Sequence, residues 1–320
     1  VVLRAAIVGC GRIAGDWDRV ATSVRPLTHA GAYRAHPDVE IVAVTDRDPA
    51  RAREFARRWG VPAWYSELSD LLDREAPDVL SLCQPPEARP DAFLAACRAR
   101  VPAVFCEKPV AATLEDAVRM RGAAEGVLVA VNFLRRWNPG LRQLRQEVVA
   151  GRFGRPVRGI VRYTKGLLGN GSHMIDLARW FFGEPEKVEL IAPVTSGDDQ
   201  GADFRLTFEN GPEIMFQHVP GVSYVFIDVD VVCPEGRFVV EQRGQFVRRF
   251  HTATDPVYPF EVTVPDGADP TDWDLCLTNA VADLVGCLRS GATPQCRLED
   301  GVRAMEISDE LMALRGRVAQ

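Results

Sequence analysis

A glycine-rich turn, residues 9–15 (GCGRIAG), directly follows a short apolar run, residues 3–8 (LRAAIV). The run is typical of a buried strand, and the residues after Gly11 favour the start of a helix. Gly9 and Gly11 take the first two glycine positions of a dinucleotide-binding fingerprint, and Ala14 takes the third, where a small residue is needed. Such a turn lets the backbone and a helix N-terminus approach a pyrophosphate. The pattern predicts a dinucleotide site, with a plain Gly-rich turn of an α/β domain as the alternative.

Length and composition narrow the class of protein. The chain has 320 residues, enough for two domains with full cores, and its net charge of −6 disfavours nucleic-acid binding through a basic surface. No apolar run approaches the roughly 20 residues of a membrane span, and no signal segment is recognisable, so a cytoplasmic protein without membrane contact is expected. Eight scattered cysteines without a CxxC pair and five histidines without an HExxH pattern predict reduced thiols and no metal site.

Strand and helix patterns alternate over the first 132 residues. The clearest helix pattern is residues 49–59, with proline at its start and a glycine after its end. Further buried-strand patterns occupy residues 39–46, 78–83, 103–106 and 127–132. The alternation predicts an α/β, doubly wound parallel sheet, a Rossmann domain over residues 1–132, with ligands at the carboxyl ends of its strands.

Asp46 ends the second predicted strand, where a Rossmann domain binds the adenosine ribose hydroxyls. A carboxylate there disfavours a 2′-phosphate, so NAD is the expected cofactor, with NADP possible because Arg12 or Arg47 offers a positive charge. The separation of Gly11 from Asp46 exceeds the usual roughly 20 residues. An insertion at residues 16–28 accounts for the excess, and we expect it to form a loop over the mouth of the cofactor or substrate site.

The second half of the chain, residues 133–320, carries a different pattern. Six alternating runs predict strands of a large, mostly antiparallel open sheet in an α+β domain: residues 157–164, 187–194, 203–210, 213–219, 224–233 and 237–242. Helix patterns at residues 138–150, 172–182, 272–290 and 298–315 complete this domain. One face of so wide a sheet stays free of helices, so we expect it to join copies of the chain into a homo-oligomer, a dimer or tetramer.

Three motifs in register, GCGRIA after the first strand, EKP after the fourth and GSHMIDLARW in the second half, resemble the glucose–fructose oxidoreductase/inositol dehydrogenase family (Gfo/Idh/MocA). The resemblance covers nearly the whole chain. It implies an NAD(P)-dependent enzyme that transfers a hydride between nicotinamide and a carbinol or ketone carbon of a sugar, nucleotide-sugar or cyclitol. The alternative is a cofactor-binding sensor of the same fold that has lost turnover.

The resemblance also implies roles for individual residues. Lys108 matches the lysine of EKP, which exchanges a proton with the substrate hydroxyl, and Pro109 matches a proline that is commonly cis. Glu107 matches a residue near the nicotinamide ribose. The residues expected to bind the cofactor are Gly9, Gly11, Arg12, Ile13, Asp46, Arg47, Gln84, Pro85 and Glu107.

His173 matches the active-site histidine of the family and is the second candidate for proton transfer. Many members carry an aspartate four positions earlier, where this chain has Gly169 followed by Asn170. Either Lys108 and His173 therefore share the proton transfer, or the substrate is held differently. The residues expected to contact substrate are Lys108, Arg136, Tyr163, Lys165, Asn170 and His173, with Arg135 beside them.

The chain departs from the family pattern at a second place, after the predicted strand at residues 78–83. The sequence there is Gln84-Pro85-Pro86-Glu87-Ala88-Arg89. Arg89 stands where family members often have the histidine of a TPxxxH turn. Gln84 and Pro85 still suit a turn on the nicotinamide side of the cofactor. We interpret Arg89 as a surface change without a function.

Overall fold

The computed structural model describes residues 2–18, 26–196, 199–209 and 211–318, and the chain divides into two compact units. The first unit comprises Val1–Trp137 and Asp274–Arg303, and the second comprises Asn138–Trp273 and Ala304–Gln320. The sequence-based boundary after residue 132 differs from this division, because segment 274–303 belongs with the first unit. Within the described residues, no helix is long and apolar enough to cross a membrane.

The first unit contains the expected parallel sheet, with the strand order β3-β2-β1-β4-β5-β6. Its strands are β1 (Leu3–Val8), β2 (Val39–Thr45), β3 (Ala63–Tyr65), β4 (Val79–Leu82), β5 (Ala103–Cys106) and β6 (Leu128–Val131). Every pairing between them is parallel, which confirms the doubly wound fold. The edge strand β3 was not predicted, because three residues are too short for a periodic pattern.

Five helices connect these strands: α1 (His29–Ala35), α2 (Pro49–Trp59), α3 (Leu68–Glu75), α4 (Arg89–Arg98) and α5 (Leu114–Ala123). Helix α8 (Cys276–Ser290), which comes from the later part of the chain, also belongs to this unit. Helix α2 has the predicted bounds. The side chain of Asp48 accepts hydrogen bonds from the first turn, and Gly60 ends the helix in a left-handed conformation with φ 63°. Phe55 and Trp59 lie on its buried face, as their spacing indicates.

Helix α1 resumes a helical turn that begins at the glycine turn. An α-helix bonds each N–H to the carbonyl four residues earlier. Here the N–H groups of His29 and Ala30 donate to the carbonyls of Ile13 and Ala14, sixteen residues earlier, at 3.1 and 2.9 Å. Twelve residues are therefore inserted into one helical ladder, which explains the long separation between Gly11 and Asp46.

The two ends of the insertion are fixed by Asp18, which is 7% exposed. Its carboxylate accepts hydrogen bonds from the backbone N–H of Leu27 at 2.9 Å and from the hydroxyl of Thr28 at 2.5 Å. Thr28 in turn accepts from the N–H of Gly31 and caps α1. The expected loop over the site falls mainly on residues 19–25, which lie outside the described residues.

The second unit contains an eight-stranded sheet, with the order β14-β13-β12-β11-β7-β10-β9-β8. Its strands are β7 (Arg158–Tyr163), β8 (Pro185–Ser196), β9 (Asp199–Phe208), β10 (Glu213–His218), β11 (Ile227–Cys233), β12 (Gly236–Glu241), β13 (Phe246–Thr254) and β14 (Glu261–Pro270). Only β7 and β10 pair in parallel, so the sheet is mostly antiparallel as predicted. Strands β13 and β14 were missed, since the prolines, glycine and aspartates of β14 disfavour a strand and pairing with β13 overrides them.

The second unit also contains the helices α6 (Pro139–Val149) and α7 (Ser172–Phe182) and most of α9 (Leu298–Val318). Helix α9 begins in the first unit. One face of the sheet packs against α7, where Phe181 stacks on Phe238 with ring centroids 6.2 Å apart. The alternate positions carry cross-strand ion pairs, including Arg237–Asp230 at 2.5 Å. This second face thus carries paired charges interspersed with apolar residues such as Val232 and Val239.

Candidate active site

A cavity of about 740 Å³ opens in the first unit at the carboxyl ends of β1, β2 and β4. Parallel α/β sheets bind ligands at this position. The cavity brings together six of the residues predicted to bind cofactor: Gly9, Gly11, Asp46, Arg47, Gln84 and Pro85. Arg12, Ile13 and Glu107 do not line it; Arg12 is exposed, and the carbonyl of Ile13 is bonded to α1.

The two glycines of the turn are required for different reasons. Gly9 has φ +88°, and a Cβ there would lie 2.7 Å from the backbone nitrogen of Gln84. A Cβ on Gly11 would meet no atom of the described residues within 4 Å and would project into the open space of the turn. Gly9 therefore permits the close approach of two loops, while Gly11 leaves room for a ligand against the backbone.

Two polar side chains of the cavity suit a dinucleotide. The Asp46 carboxylate accepts hydrogen bonds from the N–H of Cys10 at 2.8 Å and of Asp48 at 2.9 Å, which fix it at the end of β2. Gln84 is 9% exposed, and its Oε1 is buried without a hydrogen-bond partner in the structure. Because buried polar atoms are normally paired, this orphaned acceptor fits a bound donor such as a ribose hydroxyl or an amide.

Glu107, at the end of β5, is held in a buried polar network. Its Oε1 accepts from the side-chain amide of Asn132 at 2.6 Å and lies 3.1 Å from Nε2 of His29. The other ring nitrogen of His29 lies 2.9 Å from Oγ of Ser81, which also bonds Tyr33. Burial by itself raises the pKa of Glu107, but the hydrogen bonds from His29 and Asn132 and the charge of Arg89 outweigh it, so the pKa is lowered.

His29 was not among the predicted site residues. It is fully buried, yet 78 residues separate it from Glu107, and no local pattern links the two. The helical ladder that spans the insertion is what brings His29 to this position.

Lys108 follows Glu107 and is half-buried, and the peptide bond between Lys108 and Pro109 is cis, as the resemblance implies. Burial lowers the pKa of Lys108; the neighbouring Glu107 raises it, and the positive charges of Arg135 and Arg89 lower it further. Together these influences lower the pKa of Lys108. A lysine of this kind loses its proton more readily than one in water, which suits a proton acceptor.

The interpretation of Arg89 as a surface change is wrong. Arg89 is 5% exposed, lines the cavity and donates a hydrogen bond from Nη1 to the carbonyl of Pro109. Its position at the start of α4 looked like an exposed helix end in sequence. The structure buries it because α4 begins against the turn that carries Lys108.

Arg136 was predicted to contact substrate, but its guanidinium is engaged elsewhere in the first unit. It donates to Oδ1 of Asp300 and to the carbonyl of Gln295, both at 3.0 Å, and it is 6% exposed. These bonds give Arg136 a structural role instead. Arg135, also buried, acts electrostatically on Lys108.

The remaining predicted residues lie in the second unit. His173 is 7% exposed, in the first turn of α7. Asn170 lies in a π-helical turn (Gly166–Gly171) before α7, and its Nδ2 is buried without a hydrogen-bond partner among the residues that the structure describes. A Cβ on Gly169 would lie 3.7 Å from Lys165, so the position has room for a side chain that this sequence lacks.

Tyr163 and Lys165 differ sharply in their surroundings. The hydroxyl of Tyr163 is fully buried and bonded to both the carbonyl and the N–H of Ala202, at 2.7 and 3.1 Å. These bonds join β7 to β9 and correct the prediction that Tyr163 binds substrate. Lys165 is exposed and has a left-handed backbone, φ 65°.

Comparison with known proteins finds similar oxidoreductases. A family model described as an oxidoreductase family with an NAD-binding Rossmann fold (GFO_IDH_MocA) matches residues 3–133. D-apiose dehydrogenase of Paraburkholderia graminis is 24% identical, over 99% of this chain and 89% of the relative. Inositol 2-dehydrogenase 2 of Saccharopolyspora erythraea is 27% identical, over 77% of this chain and 71% of the relative. A solved levoglucosan dehydrogenase, in complex with NADH and levoglucosan, has the same fold, with a TM-score of 0.83 at 18% identity over 99% of this chain and 98% of that one.

Proposed function

Because the chain belongs to the Gfo/Idh/MocA oxidoreductase family, we propose that it is an NAD-dependent dehydrogenase that oxidises a carbinol of a sugar, nucleotide-sugar or cyclitol, or reduces the corresponding ketone. The observation that carries the proposal is a lysine of lowered pKa, Lys108, whose turn is bonded to a residue lining the dinucleotide cavity. The names of the relatives, which include an apiose and an inositol dehydrogenase, support the substrate class.

The residues that would hold NAD are those of the cavity. The backbone at Gly9 and Gly11 would accept the pyrophosphate, Asp46 the adenosine ribose hydroxyls, and Gln84 a donor through its orphaned Oε1. When bound, NAD supplies a nicotinamide ring that takes up or gives a hydride. No other chemistry is required of the cofactor.

The chain's own residues perform the proton transfer. As the substrate C–H bond breaks and a hydride leaves, the hydroxyl becomes a carbonyl and must release one proton. Unprotonated Lys108 takes up that proton at Nζ, and in the reverse direction the Lys108 ammonium returns it. We assign His173 as a second proton-transfer group and Asn170, with its unpartnered Nδ2, as a ligand of a substrate oxygen.

The test is nicotinamide absorbance at saturating cofactor over a panel of aldoses, cyclitols and nucleotide-sugars. Turnover of at least one member is expected, with a hydroxyl-to-ketone product identified by mass. Tight NAD binding without turnover of any member would favour the sensor alternative. A cytoplasmic location and a homo-oligomer formed through the charged face of the second-unit sheet stay predictions from the sequence.

The cofactor site is expected to bind NAD at least tenfold more tightly than NADP. Asp46 is fixed by two backbone N–H groups and would repel a 2′-phosphate, whereas Arg51, 3.7 Å away, only partly offsets its charge. Calorimetric titration of both cofactors measures the difference. The variant Asp46→Ser, which removes the charge, should reduce the difference in affinity between NAD and NADP. Equal or tighter binding of NADP to the native chain would contradict the assignment of Asp46 to the adenosine ribose.

Deleting residues 17–28 is expected to leave the fold intact and to raise KM for substrate. The deletion makes His29 the fourth residue after Ile13, so its N–H meets the same carbonyl in an ordinary helix. Circular dichroism and thermal unfolding check the fold, and kinetics check KM. A deletion of eleven residues breaks this register and is the matched control. Unchanged kinetics in the folded deletion variant would count against a loop over the site.

A further inference from the structure

Arg89, the first residue of α4, carries a buried positive charge. The guanidinium of Arg89 is 5% exposed, donates Nη1 to the carbonyl of Pro109 and leaves Nε buried without a hydrogen-bond partner in the structure. Burying a charge costs free energy, and the positive end of the helix dipole adds to that cost. A residue placed at such a cost needs a reason beyond filling space.

The groups around Lys108 indicate that reason. Three charged side chains act on the Lys108 ammonium: Glu107 on the same turn, Arg135 after β6 and Arg89 at the start of α4. Glu107 attracts the positive charge, but its Oε1 is already bonded to Asn132 and His29. Arg89 and Arg135 repel it. Burial of Lys108 is the largest influence that lowers its pKa, and the charges of Arg135 and Arg89 add to it. Arg89 is the repelling group that is tied to the Lys108–Pro109 turn.

We propose that Arg89 is a positioning residue for the reaction: its hydrogen bond to Pro109 holds the turn that presents Lys108, and its buried positive charge disfavours a proton on the Lys108 amine. The inference rests on the proposed function, in which Lys108 accepts the hydroxyl proton.

The sign of the effect follows from the charges. A positive neighbour lowers the pKa of an amine, so its removal raises the pKa of Lys108. In the oxidation direction the unprotonated amine is the active form, and the acidic limb of the kcat/KM profile must then move to higher pH. An upward shift of roughly one pH unit or less is the size expected from the loss of one neighbouring charge.

The experiment compares Arg89→Gln, which keeps an amide donor but no charge, with Arg89→Lys, which keeps the charge. The first readout is the pH profile of kcat/KM. The second needs no turnover: the rate at which an amine-reactive acylating reagent labels Lys108 is followed against pH by peptide mass spectrometry. The chain has only three lysines, and exposed Lys165 and Lys187 serve as internal references.

We expect Arg89→Gln to move the acidic limb of the kcat/KM profile to higher pH by about one pH unit, and to raise the pH midpoint of Lys108 labelling by the same amount. Arg89→Lys should move both by much less. An unchanged labelling midpoint in Arg89→Gln, or equal shifts in both variants, would overturn the proposal. If Arg89→Gln does not fold, Arg89→Met provides the uncharged variant. Because labelling reports on Lys108 without turnover, failure of the Arg89 role is distinguishable from failure of the proposed activity.

Discussion

Replacing Lys108 with methionine is expected to lower kcat by roughly 10²–10⁴-fold and to leave NAD affinity nearly unchanged. Methionine keeps the length of the side chain but cannot accept the hydroxyl proton. The residues assigned to the cofactor, Gly9, Gly11, Asp46 and Gln84, are untouched by the change. Steady-state kinetics on the identified substrate and calorimetry with NAD measure the two quantities separately.

A matched control is available because Lys187 is another of the three lysines. It is exposed and paired with Glu189 at 2.7 Å on strand β8, where an ion pair contributes little. Lys187→Met should therefore retain native kinetics. A Lys108→Met enzyme with near-native turnover would refute the assignment of the proton acceptor.

His173→Ala separates the two ways of sharing the proton transfer. If Lys108 takes the proton directly, loss of the imidazole should reduce kcat by less than the Lys108 change does. An equal loss of kcat would identify His173 as the principal base. Both outcomes are open because position 169 is a glycine and has no carboxylate to orient the substrate hydroxyl.

Adding one methyl group to the glycine turn is expected to have opposite consequences at its two glycines. Gly11→Ala should fold with native stability, because no atom in the described part of the chain lies within 4 Å of the new Cβ. The same variant should weaken NAD binding by about 100-fold or more. Gly9→Ala should lower the free energy of unfolding by about 2–4 kcal/mol, since φ is +88° and the Cβ would lie 2.7 Å from the nitrogen of Gln84.

Denaturant unfolding and NAD titration of both variants check this contrast. Denaturant unfolding should show Gly9→Ala to be the less stable variant. NAD titration should show the loss of affinity in Gly11→Ala. Native NAD affinity in a folded Gly11→Ala protein would show that the cofactor does not lie against this part of the backbone.

The features that the sequence predicted well are those that depend on neighbours in the chain. The first strand, the glycine turn, Asp46 at the end of β2 and Lys108 at the end of β5 all follow from local periodicity and spacing. The apolar face of α2 and its glycine end follow in the same way.

The features that were missed depend on contacts between distant segments. His29 approaches Glu107 only because the helical ladder of α1 spans an insertion, and Arg89 is buried only because α4 packs beside the turn at Pro109. Strand β14 forms through pairing with β13 despite its composition. None of these contacts leaves a periodic signal in the residues themselves.

The ladder of α1 also bears on how the chain can be altered. The bonds from His29 and Ala30 to Ile13 and Ala14 close the helix on both sides of the inserted residues, so the helix fixes the insertion at its ends. A change of length between those ends leaves the backbone bonds of the sheet and the Glu107 network in place. The junction is thus a ready attachment point at which a designer can exchange whole segments, or graft a reporter peptide, next to the cofactor-binding turn.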